Sequence, residues 1–192
     1  MAGFTESNQT TFTVNFGPDK IYNGGVHDAF VTKITANFFT STDTFSLTPR
    51  DSQVAVGQHL PLTLTWTVPK HEVWTDLKTI QLRFKQDKGV ALWVQWDQEP
   101  NTFRLVDPDT GQLGPPASPG ASAVLETTLA ALYLAETSVQ GGGPKAPNVD
   151  LNLSLAFKPP TKGRTFAVDV AASDDFGNQD PFAPAGTVAV GR

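Results

Sequence analysis

Asp174, Asp175, Asn178 and Asp180 place four hard oxygen donors within seven residues near the end of the chain. Oxygen ligands grouped on one loop suit Ca²⁺, which takes six to eight of them at about 2.3–2.6 Å. Asp107, Asp109 and Gly111 form a second, shorter candidate. Neither segment completes the spacing of an EF-hand loop, and no closing bidentate Glu follows. The competing expectation is that Asp, Asn and Gly gather there because they make turns, their side chains capping backbone amides. Calcium is the one cofactor the sequence suggests.

Four tryptophans raise a second chemistry, since aromatic faces stack on sugar rings. Trp66 and Trp96 fall in phase with apolar alternation and read as buried. Trp93 is out of phase with Val94 and Trp96, and Trp74 precedes a strand, so Trp74 and Trp93 are the candidate ligand platform. The ordinary alternative is a partly covered indole on a sheet's second face.

Catalytic chemistry finds less support. Asp97 and Glu99 close a strand, and paired carboxylates can hydrolyse glycosides, yet alternate acids at a strand end usually mark a solvated turn. His27, His59 and His71 lie in loop-like stretches with no Gly-x-Ser-x-Gly elbow. Gly141 to Gly143 lack the Lys and Ser/Thr of a phosphate loop. The expectation is a protein that is not an enzyme, with no catalytic residue assigned.

The elements that would position these groups are strands. From Leu60 to Val68, Leu62, Leu64, Trp66 and Val68 alternate with three threonines, a period of two that sends one set into a core. Val149 to Phe157 and Arg164 to Ala171 repeat the pattern. Shorter strands are expected at residues 45–47, 53–56, 79–84, 90–96, 102–106, 123–126, 129–134 and 186–190. Residues 121–135 are rich in Ala and Leu and also admit a short helix, but Thr127-Thr128 favours two strands. Gln86 to Gly89 and Asp107 to Gly111 read as turns. Gln140 to Pro144 reads as a flexible loop tip. With 16 Gly and 15 Pro punctuating the chain, about eight or nine strands point to an all-β, two-sheet sandwich of immunoglobulin-like or fibronectin-like type.

Bulk properties narrow the partners. The chain has 192 residues, no Cys, and a net charge of −5 from 14 basic and 19 acidic residues. A chain this long can bury roughly 70% of its unfolded surface without disulfides. Its basic residues form no cluster, so nucleic acid and anionic membrane surfaces are poor partners. Its apolar runs are far short of the roughly 20 residues that span a bilayer, so no membrane insertion is expected. The first residues lack the basic and apolar regions of a signal peptide. The signal lies upstream, or was removed, or the protein stays inside.

Residues 1–36 break the strand rhythm and are expected to form an N-terminal extension, with residues 37–192 as the sandwich domain. The run Tyr22-Asn23-Gly24-Gly25 followed by Asp28-Ala29-Phe30-Val31-Thr32-Lys33-Ile34 resembles the end of an SBBP-type bacterial β-propeller repeat, a likeness covering about residues 11–36. Only part of one blade is present, and a propeller needs several. The resemblance implies that the chain is a fragment from the C-terminal end of a longer protein. Residues 44–190 resemble an immunoglobulin-like accessory module of large secreted bacterial proteins. Its carriers are Trp74-Thr75-Asp76-Leu77, Ala91-Leu92-Trp93-Val94, Asn101-Thr102-Phe103-Arg104-Leu105 and Asp174-Asp175-Phe176-Gly177-Asn178. These likenesses imply an extracellular or cell-surface location.

Two functions follow as expectations. The first is a non-catalytic structural or adhesive module, pairing edge strands with other modules or with copies of itself. Thr10 to Phe16, with Phe12, Val14 and Phe16 alternating, would supply an added strand. The second is a carbohydrate-binding module that takes polysaccharide on Trp74 and Trp93.

Overall fold

Alternation of burial along Leu60–Thr67, with Leu60, Leu62, Leu64 and Trp66 buried and the threonines partly open, fixes which way that strand faces. The computed structural model describes residues 2–5, 28–31, 43–87 and 89–191. The chain divides into two compact units, Met1–Phe39 and Thr40–Arg192. In the first, β1 (Ala2–Thr5) pairs antiparallel with β2 (Asp28–Val31). The Thr10 to Phe16 strand expected from sequence, and most of the repeat-like run, lie outside the described residues.

The second unit is all-β, with two six-stranded sheets packed as a sandwich. The first sheet holds β3 (Thr44–Thr48), β5 (Leu60–Thr67), β12 (Asn148–Phe157), β10 (Ala130–Tyr133) and β9 (Val124–Glu126) in that order, and β11 (Ser138–Gly141) also pairs with β12. The second runs β4 (Asp51–Val54), β14 (Gln179–Val190), β13 (Thr165–Asp174), β6 (Leu77–Gln86), β7 (Gly89–Asp97) and β8 (Thr102–Leu105). The order β3-β5-β12-β10 opposite β14-β13-β6-β7-β8 is that of variable-type immunoglobulin sheets. Twelve strands exceed the count of eight or nine: each of the eleven segments named from sequence overlaps a strand, and β11 is the addition. β9 and β10 are the two strands favoured for residues 121–135.

The sheets meet through aromatic side chains. Phe157 of the first sheet is fully buried. It stands edge-on to Phe84 at 5.7 Å and stacks on Phe166 at 5.2 Å, both from the second sheet. Trp66 and Trp96 are both 1% exposed, as their phase requires. Each indole N–H is still satisfied, by Asp43 and Asn101 respectively, which removes the cost of burying a bare donor.

The chain changes sheets between β3 and β4, and β4 then runs parallel to the last strand, Asp51 opposite Thr187 through Val54 opposite Val190. The Thr187 amide donates to Arg50 O at 3.0 Å and the Gly191 amide to Val54 O at 2.8 Å. Gly186 makes this approach possible: a Cβ there would lie 1.8 Å from Arg50 O.

Strand β14 contains Pro181 and Pro184, which cannot donate to a ladder and are tolerated at bulges. Its pairing with β13 shifts register twice, between Val168 and Asp169 and between Val170 and Ala172. A bulge re-aims side chains, and here Phe182 turns onto the outer face, where Arg83 lies 3.7 Å over its ring and Trp93 meets it edge-on at 5.6 Å. Beneath sits Asp169, 4% exposed, with Lys85 Nζ at 2.6 Å and Arg83 Nη2 at 3.0 Å.

Burial pushes the Asp169 carboxyl up, but hydrogen bonds and charge from Lys85 and Arg83 outweigh it and hold the group below its ordinary value. A carboxyl lowered in the folded state contributes stability that is present above its unfolded pKa and lost as pH falls through the folded one. Asp169→Ala should cost about 3 kcal/mol, the low end for breaking a buried pair, because Lys85 reaches water. In urea titrations at stepped pH, the variant should also lose part of the decline in stability seen below about pH 4.

Candidate functional site

Trp74 opens a short 3₁₀ turn, Trp74–Asp76. Its indole lies directly on Gly141 of β11, and its Nε1 donates to Gly143 O at 2.9 Å. Its backbone amide donates to Ala146 O. Residues 140–144 are therefore not a free loop tip: Ser138–Gly141 is strand, Gly141 lies under the indole, and the Gly142 amide donates to Asn148 O. A Cβ on Gly141 would come within 2.3–2.5 Å of the indole. Gly141→Ala should cost about 1–3 kcal/mol, as overpacking does, and shift the Trp74 emission on fluorescence.

Trp93 stands on the outer face of the second sheet, as its phase predicts. Its Nε1 donates to Gln81 Oε1 at 3.1 Å, and Gln81 Nε2 in turn donates to Gln95. Trp74 and Trp93 thus belong to separate surroundings, one against the end of β11 and the other beside Phe182.

Asp174 caps the hairpin between β13 and β14. Its Oδ1 accepts from the amides of Phe176 and Asn178, and its Oδ2 from Asn178 Nδ2 at 2.6 Å. The Asp175 amide is tied to Asp76 O, and Asp180 lies partly buried in β14. Burial, then the charges of Asp174 and Asp76, push the nearby Glu72 carboxyl up. Among the described residues no group of three or more His, Cys, Asp or Glu side chains converges as metal ligands. Asp107 plays the same capping part, accepting from the amides of Asp109 and Thr110, contacts that hold its carboxyl below the ordinary value.

Asp97 is not poised for acid–base work with Glu99. Gln95 Nε2 donates to its Oδ1 at 2.6 Å, and Arg104 Nε lies 2.9 Å from Oδ2 in a charge contact lacking hydrogen-bond alignment.

One cluster had no signal in the sequence. β10 and β11 both line the same side of β12, separated by a 3₁₀ turn, Leu134–Glu136, that Thr137 closes through Oγ1 to Tyr133 O. At this break Glu136 Oε2 accepts from Ser154 Oγ at 2.7 Å and lies 2.7 Å from His59 Nδ1. Ser154 Oγ is 3.2 Å from the same nitrogen, and Tyr133 stacks on the imidazole at 4.2 Å. The hydrogen bond from Ser154, then that from His59, holds the Glu136 carboxyl below its ordinary value. The three residues border a cleft of about 350 Å³ with Thr63 and Asn152.

These features define an all-β, two-sheet sandwich, its outer faces laced by polar side chains. No protein-family model matches the sequence, and no curated protein does. Among solved structures the chain is similar to a DUF4466 family protein from Parabacteroides merdae, at 9% identity and a TM-score of 0.31. That match covers 77% of this chain and 45% of the other, so the chain spans under half of that protein's length.

Proposed function

We propose that this chain is a non-catalytic structural or adhesive module of a bacterial extracellular or cell-surface protein, built to carry tension between its ends. The observation that carries this reading is the parallel pairing of β4 with β14. Parallel neighbours pulled from opposite ends slide past each other, so their ladder bonds are loaded together and not peeled singly. Thr187 Oγ1 adds a bond to Asp51 Oδ1 at 2.6 Å across the same pair. The compartment is supported by the resemblances of residues 11–36 and 44–190 to parts of secreted bacterial proteins. Partners would be other modules or further copies, meeting strand edges: β11 pairs with β12 on one side, leaving backbone groups on its other side for an added strand. The alternative, a carbohydrate-binding module on Trp74 and Trp93, is carried less far, since each indole N–H is already given to an intramolecular acceptor.

Single-molecule pulling on tandem copies tests the load-bearing reading. One high-force step is expected, and Gly191→Pro, which removes the donor to Val54 O, should lower that force. Peeling at low force in several small steps would remove it.

A further inference from the structure

We infer that the cleft at the break between β10 and β11 binds a saccharide, held by Glu136, His59 and Asn152. β10 covers Leu155–Phe157 of β12 and β11 covers Val149–Asn152, so Leu153 and Ser154 have no paired strand on that side. The cleft this leaves, about 350 Å³, falls within the range of about 300–1,000 Å³ typical of small-molecule sites.

Its polar groups are fixed before any ligand arrives. Ser154, 5% exposed, and His59 both engage Glu136 Oε2, while Tyr133 holds the imidazole from its face. Glu136 Oε1 and His59 Nε2 have no partner among the described residues. Asn152 Oδ1 accepts from Thr63 Oγ1 at 2.9 Å and its Nδ2 gives one hydrogen to Ser138, leaving a second to donate. An acceptor, an amide donor and an imidazole nitrogen at set positions complement neighbouring sugar hydroxyls, each of which both donates and accepts. Because the side chains are already ordered, binding forfeits little rotamer entropy.

The same geometry disfavours two other uses. Ser154 gives its hydrogen to Glu136, and the His59 nitrogen nearest it is also turned to that carboxylate, so no relay runs from serine through imidazole to acid. Only His59 Nε2 and Glu136 Oε1 remain as open ligands, too few for a closed transition-metal site.

The test is a ¹H–¹⁵N NMR titration of the full chain with glucose, galactose, N-acetylglucosamine and cellobiose in turn. At least one of these should move the amides of His59, Glu136 and Asn152. Glu136→Gln should weaken that binding about tenfold or more while its amide spectrum remains that of a folded protein, and Trp93→Ala leaves the binding intact. No response to any of the four, equal binding by Glu136→Gln, or loss of binding in Trp93→Ala would overturn the assignment.

Discussion

Phe157→Ala should lower stability by about 3–5 kcal/mol, the range for removing a buried phenylalanine. The ring is 0% exposed and is the first sheet's contribution to an aromatic group completed by Phe84 and Phe166 of the second. Truncation removes its transfer energy, leaves a cavity that backbone on both sides keeps from collapsing, and unlinks two ring contacts. Two-state urea unfolding followed by tryptophan fluorescence reads the loss directly. Phe157→Leu, which refills most of the space, should recover much of it.

The second large effect is expected at Gly186. Adding a methyl there places carbon 1.8 Å from Arg50 O, a backbone atom that cannot rotate away. β14 must then retreat from the crossover between the sheets, and the Thr187 amide loses its bond to that carbonyl. Overpacking and one lost hydrogen bond together make about 2–4 kcal/mol. The same substitution should cut the unfolding force more than Phe157→Ala does, because it acts on the pair placed in shear.

Much of the sandwich was legible because its longest strands carry their own record. Period-two burial at Leu62, Leu64 and Trp66, and at Phe166, Val168 and Val170, needs no knowledge of a partner strand. The turn at Gln86 to Gly89 was likewise local, with Gln86 opposite Gly89 in the register. β11 was hidden because Ser138, Gln140 and Gly141 have little strand preference; remote pairing with β12 makes it a strand. Phe182 was hidden because it lies between Pro181 and Pro184, which lack a ladder donor; bulges absorb both prolines within β14. Asp174, Asp175 and Asn178 were legible as a turn, and Asp174 is its cap, while Asp180 belongs to β14. The His59, Glu136 and Ser154 cluster could not be found in this way. His59 and Glu136 are 77 positions apart and Glu136 and Ser154 are 18 apart, so only sheet register brings them together.

Tension-bearing rests on whether chain entry and chain exit are bound side by side, and amide hydrogen exchange at Thr187 and Gly191 measures that most directly. Slow exchange at both, with Thr187 losing protection first in Gly186→Ala, is the expected result. Exchange of both amides at the rate of an open chain, in a protein otherwise folded, would contradict the pairing of β4 with β14 and the mechanical role built on it.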